Sequence, residues 1–312
     1  PLPIFMQIKR DYISKLNKGD RINITLKGDK TIYATVIIDD IFKYDIDCLT
    51  KNMFSTIDEK HPGVKRVKKG GEFFISGKVN LLNYLPHHHK YYFLTPYEIR
   101  EIFHYRGWNR IVGFHTRNVP HRVHEYIQTK ALEDYYCDGL LLHPIIGPKK
   151  SGDYSSDILL NSYQMLVDDD YLNGKTLLAS FNNYSRYCGF REAVFTALCR
   201  KNYGCTHFII GRDHTGLSDY YSSESIDELF EELGDIGITP IFFDNIYYND
   251  SIDSYTTRNS YDPDIDSLIN ISGTEARKMF KNGVLPPDWY MRKKLSRTII
   301  DQLNNDSEVF IE

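Results

Sequence analysis

Residues 110–131 read RIVGFHTRNVPHRVHEYIQTKA, and they carry the strongest structural signal in the chain. The apolar run 111–114 predicts a short strand, and the polar residues 115–118 predict a turn directly after it. A helix is expected to start near Pro120, because proline is tolerated at the first helical position, and Asn118 is expected to cap it. This arrangement favours a phosphate site, because free backbone N–H groups and the positive end of the helix dipole meet there.

Two histidines, His121 and His124, lie in the first turn of this predicted helix. Because they are three residues apart, their imidazoles are expected to share one face beside the phosphate site. Taken alone, the His-x-x-His pattern is also typical of surface or core histidines. A zinc protease is excluded, because its motif requires a histidine at the position of Gln128.

Composition and length limit the class of protein. The 312 residues are enough for one large domain or two smaller ones with a sizeable core. The net charge of −4 argues against broad nucleic-acid binding, and no apolar run approaches the ~20 residues of a membrane span. The five cysteines form no CxxC pair and no signal peptide is visible, so a cytoplasmic protein is expected. The chain opens at Pro1 in a strand-like run, so we expect its native N-terminus to be missing.

From about residue 95 the pattern alternates between strands and helices. Strands are predicted near 111–114, 139–146, 176–180, 207–211 and 238–243, and helices over 156–167, 191–201 and 226–233. This alternation predicts an α/β fold with a parallel, Rossmann-like sheet. Ligands of such sheets bind beyond the carboxyl ends of the strands, which is where the polar motifs of this chain fall.

The first 90 residues or so read as mostly β. Residues 22–26 and 31–37 predict a hairpin, and residues 72–82, interrupted by Gly77, predict another. Residues 87–89 are three consecutive histidines. No carboxylate or cysteine lies nearby in the sequence, which favours an exposed linker over a metal site.

Two further polar clusters point to anion binding. The segment Gly211–His214 reads Gly-Arg-Asp-His directly after an apolar strand, and charged residues at a strand end are hard to explain by packing. Arg277 lies on a helix that Ser272 and Glu275 begin as a capping box, and it is expected to complete a phosphate cradle. Arginines and histidines with few acidic partners suit a polyphosphate carried with Mg²⁺. A Walker loop is excluded, because Asp169 replaces its upstream glycine.

Five motifs are distributed over nearly the whole chain. They are Thr116-Arg117-Asn118 with His121-Arg122-x-His124, Asp138–Pro144 (DGLLLHP), Lys201–His214 (KNYGCTHFIIGRDH), Ile271–Thr274 (ISGT) and His61–Val64 (HPGV). In these motifs the chain resembles the ATP sulfurylase (sulfate adenylyltransferase) family, nucleotidylyltransferases related to class I aminoacyl-tRNA synthetases. Together the motifs are highly specific.

The resemblance implies a fold and a reaction. It implies a PUA-like β domain over residues 1–92, without its start, then a nucleotidylyltransferase domain over 93–265 and a small helical C-terminal piece over 266–312. The implied reaction joins sulfate to the α-phosphate of ATP, giving adenosine 5′-phosphosulfate and pyrophosphate. ATP is expected to arrive with Mg²⁺, and the family implies a homo-oligomer.

The resemblance also implies roles for individual residues. Thr116, Arg117 and Asn118 are the expected active-site trio, and His121 and His124 are expected to stabilise charge that develops on the phosphates. The residues expected to bind ATP are His115, Arg117, Asn118, Gly211, Arg212, Asp213, His214 and, through its backbone, Ile246. The residues expected on the sulfate side are His115, Arg117 and Thr215.

The chain departs from the family pattern on the sulfate side. His115 stands where the family has glutamine, and Thr215 stands where alanine is common. These changes fit either tolerated variation in a sulfate-using enzyme or an acceptor site retuned for another anion. Some relatives carry a cysteine-rich zinc cluster before ISGT, but residues 247–270 contain neither cysteine nor histidine, so no structural zinc is expected.

Three functional hypotheses follow from these observations. The first is an active sulfate adenylyltransferase, and the second is a nucleotidylyltransferase of the same family that uses another oxyanion or a phosphorylated acceptor. The third is a non-catalytic nucleotide-binding homologue. The intact histidine pair, the segment 211–214 and the ISGT motif all argue against the third hypothesis.

Overall fold

The computed structural model describes residues 2–86, 88–211, 220–221, 226–257, 267–305 and 307–311. The chain divides into two units. The first unit comprises residues 1–90, 186–195 and 215–224, and the second comprises 91–185, 196–214 and 225–312. The domain boundaries expected at 92 and 265 stay predictions.

The first unit is built on an antiparallel sheet of four strands in the order β1-β4-β3-β2. This arrangement confirms the mostly β character expected for the first 90 residues, although two helices lie between β3 and β4. The strands are β1 (Met6–Ile8), β2 (Arg21–Ile24), β3 (Ala34–Lys43) and β4 (Phe73–Leu81). The helices are a 3₁₀ helix (Arg10–Lys15), α1 (Ile46–Phe54) and α2 (Pro62–Gly70).

One of the two predicted hairpins is wrong. Residues 73–81 form the single strand β4, and Gly77 pairs with Ile38 where a bulge interrupts β3. A Cβ atom on residue 77 would lie 2.2 Å from the carbonyl oxygen of Ile37. The glycine is therefore required by the close approach of another backbone and does not mark a turn. The first predicted hairpin is confirmed, since β2 pairs with β3 in antiparallel register.

The second unit contains the predicted parallel sheet. Its five strands lie in the order β7-β6-β5-β8-β9, and every neighbouring pair is parallel. The strands are β5 (Ile111–Thr116), β6 (Gly139–Pro144), β7 (Thr176–Leu178), β8 (His207–Ile210) and β9 (Thr239–Phe242). The chain runs from β5 towards one edge through β6 and β7, and then returns to place β8 on the other side of β5. The order therefore reverses between β5 and β8, and a crevice opens at the carboxyl ends of the strands at such a switch point.

Helices and a small second sheet complete the described part of the chain. The remaining strands, β10 (Ile246–Asn249), β11 (Ser254–Thr257) and β12 (Leu268–Ile269), form an antiparallel sheet with β10 in the centre. The helices are α3 (Pro96–Tyr105), α4 (Arg122–Asp134), α5 (Ser156–Asp168), α6 (Phe190–Asn202), α7 (Ile226–Leu233), α8 (Gly273–Lys281) and α9 (Lys293–Asn304). Among the helices of the described residues, none combines the length and apolar character that crossing a membrane requires.

The core of the second unit includes the C-terminal helices. Leu140 and Leu142 of β6 are completely buried, and Leu159 of α5 belongs to the same cluster. Phe280 of α8 and Leu295 of α9 are also buried in it. The predicted helical C-terminal piece is therefore present and shares its hydrophobic core with the parallel sheet.

Candidate functional site

The candidate site begins where β5 and β8 end side by side. Phe114 pairs with Ile209 in parallel register, so the turn after Thr116 lies at the same edge of the sheet as the carboxyl end of β8. Gly211, the first residue beyond β8, is exposed. The other predicted site residues of this segment, Arg212, Asp213, His214 and Thr215, lie outside the described residues, and their roles stay predictions.

Thr116 fixes the turn after β5. Its buried hydroxyl accepts a hydrogen bond from the backbone N–H of Asn118 at 3.0 Å and donates one to the Asn118 carbonyl oxygen at 3.1 Å. Threonine side chains commonly stabilise turns in this way. Thr116 therefore acts on the shape of the turn, and Arg117 and Asn118 supply the charged and amide groups there.

Helix α4 starts two residues later than the sequence predicts. It begins at Arg122, with His121 in the N-cap position and no side-chain cap. His121 keeps an extended backbone with φ −138° and ψ 168°, so the helix cannot reach back to Pro120. The expectation that Asn118 caps the helix is wrong for the same reason.

The two histidines of the predicted pair are stacked on each other. The ring centroids of His121 and His124 lie 3.7 Å apart, with 27° between the ring planes. Tyr290 stacks on the outer face of the His121 ring at 5.2 Å, and Phe114 lies edge-on to the His124 ring at 5.1 Å. The expectation that the two imidazoles share one face is therefore confirmed.

The surroundings of the pair keep both rings neutral at pH 7. Burial lowers the pKa of His121 to about 4. Burial, followed by the neighbouring charge of His121, lowers the pKa of His124 well below its usual value. Among the described residues neither Nδ1 atom has a hydrogen-bond partner, although both are buried. A bound anion would relieve this cost, because negative charge beside an imidazole favours its protonated form.

Helix α8 contributes an arginine to the same turn. Its N-terminus carries the predicted capping box, in which the Ser272 hydroxyl accepts from the Glu275 N–H and the Glu275 carboxylate accepts from the Ser272 N–H. Arg277 donates from Nη1 to Oδ1 of Asn118 at 3.5 Å. The structure thus brings Arg277 to the trio, as expected for a phosphate cradle.

The loop after β6 adds two charged residues that the sequence did not single out. The Asp153 carboxylate is buried, and its Oδ2 atom lies 4.0 Å from Nη1 of Arg117. Lys149 donates from Nζ to the Tyr154 carbonyl oxygen at 2.9 Å, and burial lowers its pKa to about 8. The sequence does contain a signal for these two residues, because they lie in a polar run that follows the carboxyl end of the apolar strand β6.

A buried arginine lies behind His115. Arg200 of α6 is completely buried, and its Nη2 atom lies 2.7 Å from Nδ1 of His115 and 3.1 Å from the His143 carbonyl oxygen. No pattern in the sequence pointed to Arg200, because an arginine near the C-terminus of a helix is normally exposed.

Ile246 lies in the smaller sheet. It is the first residue of β10, its side chain is buried, and it pairs with Thr257 of β11. Its backbone role in binding ATP stays a prediction.

The described donors suit a metal ion that arrives with its own ligands. Arg117 belongs to the turn, Arg277 contacts Asn118 within it, and the carboxylate of Asp153 faces Arg117. Mg²⁺ prefers oxygen ligands and is commonly held by substrate phosphates, so this set fits Mg²⁺ bound to a nucleotide. Among the described residues, no group of three or more His, Cys, Asp or Glu side chains could hold a metal ion.

Comparisons with known proteins extend these observations. Residues 90–302 match the ATP-sulfurylase family model, and residues 1–84 match the PUA-like domain model. The chain is 37% identical over 299 residues to a sulfate adenylyltransferase of Staphylothermus marinus, covering 96% of this chain and 77% of the relative. It is 38% identical over 298 residues to the sulfate adenylyltransferase of Thermococcus onnurineus, covering 95% and 78%.

A solved structure shares the same fold. It is a hexameric APS kinase from Thiobacillus denitrificans, with a TM-score of 0.73 and 20% sequence identity. The similarity covers 97% of this chain and 53% of that chain. The PUA-like and Rossmann-like parts expected from the sequence are both confirmed. The family model spans more than half of the residues, and the chain belongs to the ATP-sulfurylase family.

Proposed function

We propose that the protein is a sulfate adenylyltransferase, which converts ATP and sulfate to adenosine 5′-phosphosulfate and pyrophosphate. The stacked, neutral histidine pair at the switch point of the sheet is the observation that carries this proposal. Relatives named sulfate adenylyltransferase that cover most of the chain support it. The closely packed imidazoles and arginines suit a polyphosphate better than they suit a neutral substrate.

The reaction requires positioning more than it requires proton transfer. A sulfate oxygen attacks the α-phosphorus, the new S–O–P bridge forms, and the bond from the α-phosphorus to the bridging oxygen of pyrophosphate breaks. Sulfate is already ionised at neutral pH, so no general base is needed. The protein must bring two anions together, hold them in line and disperse the charge on the leaving pyrophosphate.

The described residues divide these tasks. In this proposal Arg117 and Asn118 hold the substrates at the turn after β5, and the hydrogen bonds of Thr116 to Asn118 maintain the shape of that turn. His121 and His124 stabilise the charge that develops on the phosphates, and Arg277 joins them from α8. The segment 211–214 would hold ATP from the end of β8. Mg²⁺ carried by ATP would supply neutralisation of part of the phosphate charge.

We also propose a cytoplasmic location and a homo-oligomeric state. No disulfide joins the cysteines of the described residues, which suits a reducing compartment. The oligomeric state follows the expectation from family resemblance, and light scattering of the purified protein would test it.

The function is tested by measuring pyrophosphate release. The protein is incubated with ATP and Mg²⁺, with and without sulfate, and adenosine 5′-phosphosulfate is identified by chromatography. We expect pyrophosphate and adenosine 5′-phosphosulfate in equal amounts, dependent on sulfate. ATP binding without any turnover would instead support the non-catalytic alternative and would reject the proposal.

His121→Ala should separate catalysis from binding. We expect turnover to fall about 10²- to 10³-fold, because a donor that faces developing charge is removed, while the Kd for ATP changes much less. His104→Ala is the matched control, because His104 is an exposed histidine on α3. Equal losses in turnover and in ATP affinity would show that His121 is only a binding group.

A second candidate function is adenylyl transfer to a different anion. The observation that favours it is His115, an imidazole that contacts a buried arginine on the expected sulfate side. Selenate, molybdate, phosphate and sugar phosphates are the acceptors to compare with sulfate. A phosphorylated acceptor used at least tenfold better than sulfate would support this second function.

A further inference from the structure

The contact between Arg200 and His115 determines which nitrogen of His115 carries the proton. The two atoms of the contact, Arg200 Nη2 and His115 Nδ1, are 2.7 Å apart. A guanidinium has only N–H donors and no acceptor, so Nδ1 must accept the hydrogen bond. A doubly protonated His115 ring would direct its Nδ1–H at an N–H of Arg200, which is unfavourable. The ring is therefore neutral, and because Nδ1 accepts, its single proton must lie on Nε2.

Packing holds Arg200 firmly in the position that makes this contact. Its guanidinium lies 3.9 Å from the centroid of the Phe181 ring and 5.4 Å from that of Phe208. The second N–H of Nη2 is directed to the carbonyl oxygen of His143, 3.1 Å away. A Cβ atom on residue 113 of β5 would lie 2.9 Å from Cγ of Arg200, so Gly113 makes room for the arginine stem.

The charge on Arg200 is costly and has no local compensation. Among the described residues, no carboxylate lies within 4.0 Å of this completely buried guanidinium, and its Nε and Nη1 atoms have no hydrogen-bond partner. Burying a cation without a counter-charge is strongly unfavourable. An anion that binds close to Arg200 would supply the counter-charge that this buried guanidinium lacks among the described residues.

We propose that Arg200 is a positioning residue that holds His115 as its Nε2–H tautomer, so that the ring donates to the anionic acceptor. The role in acceptor binding rests on the proposed function, whereas the tautomer itself does not. Glutamine at residue 115 would offer the same pattern, with an amide oxygen that accepts from Arg200 and an NH₂ group that donates. His115 and glutamine are therefore expected to be interchangeable as donors at this position.

Nuclear magnetic resonance of the imidazole nitrogens tests the tautomer directly. Protein with ¹⁵N-labelled histidine is studied at neutral pH, and the His115 signals are identified by their loss in His115→Gln. We expect an Nε2–H tautomer, with an additional Nδ1–H population in Arg200→Met and none in Arg200→Lys. An Nδ1–H or doubly protonated His115 in the unmodified protein would overturn the proposal, even if Arg200→Met fails to fold.

Kinetics test whether the tautomer matters for the acceptor. Arg200→Met should raise the KM for sulfate about tenfold or more and leave the KM for ATP within about twofold, because a hydrogen bond to a charged group is lost on one side only. Arg106→Met is the matched control, since Arg106 also donates to a carbonyl, that of Thr176, and stacks on Trp108. Equal rises in both KM values would show that Arg200 is merely structural and would reject the proposed role.

The two measurements separate the two proposals. Complete absence of sulfate-dependent activity in the unmodified protein, with the Nε2–H tautomer present, would reject the proposed function and retain the role of Arg200 in setting the tautomer. Full sulfate-dependent activity with the Nδ1–H tautomer would retain the proposed function and reject the role of Arg200 in setting the tautomer.

Discussion

His121 illustrates how a single residue links stability to function. Its ring is stacked between His124 and Tyr290, and burial lowers its pKa to about 4. Keeping this ring neutral lowers the free energy of unfolding when the pH falls. A bound polyphosphate would raise the pKa of the ring, because negative charge favours its protonated form. Within the described part of the chain the Nδ1 atoms of the pair have no hydrogen-bond partner, and ligand binding explains this better than folding does.

We predict that the free energy of unfolding falls more steeply with decreasing pH in the unmodified protein than in His121→Gln. The pKa of His121 is lowered in the folded state, so the unfolded chain binds more protons between pH 6.5 and about 4. The stability contributed by the neutral ring is complete above pH 6.5 and is lost towards pH 4. Urea unfolding at pH 7 and pH 4.5 should show a difference of about 1–3 kcal/mol between the two proteins, because each unit of pKa shift corresponds to about 1.4 kcal/mol.

A matched control separates this effect from general acid sensitivity. His104→Gln changes an exposed ring and should leave the pH dependence of unfolding as it is in the unmodified protein. Parallel pH dependences for the unmodified protein and His121→Gln would show that His121 is protonated equally in the folded and unfolded states.

At the scale of residues, the sequence predicts those site groups that are close together in the chain. Thr116, Asn118 and the histidine pair fall within one strand, turn and helix, so their proximity follows from local geometry. Arg200 could not be predicted in the same way, because it meets His115 across 85 positions. The burial of Arg200 depends on Phe181 and on Gly113 of β5, which are both distant in the sequence. No local sequence pattern predicts these contacts.

At the scale of elements, hydrophobic periodicity predicts the strands and helices of the parallel sheet within a few residues. The prediction of element boundaries fails where one residue type occurs in two different structural settings. Gly77 allows two strands to approach each other, although glycine more often marks a turn. Pro120 lies before α4 and not within it, because His121 remains extended.

Helix α8 offers a prediction at this scale. Ser272→Ala removes one half of a capping box and should cost about 1 kcal/mol of unfolding free energy. It should also raise the KM for ATP about fivefold, because Arg277 reaches Asn118 from the same helix. Thr95→Ala is the matched control, since Thr95 caps α3 with its own capping box. An equal change in the KM for ATP in both variants would contradict the role of α8 in the site.

At the scale of the whole molecule, the sequence predicts a parallel sheet but not its strand order. The order β7-β6-β5-β8-β9 depends on where the chain crosses over after β7, which involves packing between distant segments. Once that order is known, the switch point between β5 and β8 explains why the motifs at 115–118 and 211–214 follow neighbouring strands. At their amino ends, opposite the crevice, β5 and β8 are joined across 95 positions by the Thr206 hydroxyl, which accepts from the Ile111 N–H.

The last prediction concerns the connection between the histidine-bearing helix and the C-terminal helix. Glu125 of α4 is buried and accepts hydrogen bonds from Nε and Nη2 of Arg292 at 3.0 and 2.8 Å, across 167 positions. Arg292→Met should cost about 2–4 kcal/mol of unfolding free energy, because among the described residues the buried carboxylate would keep Arg122 as its only ion-pair partner. Lys293→Met removes an exposed ion pair with Asp288 and should cost under about 1 kcal/mol. Urea unfolding measures both variants. Equal small losses would mean that the C-terminal helix is held by apolar packing alone, whereas a large loss only in Arg292→Met would show that the buried ion pair holds α4 in place beneath the histidine pair.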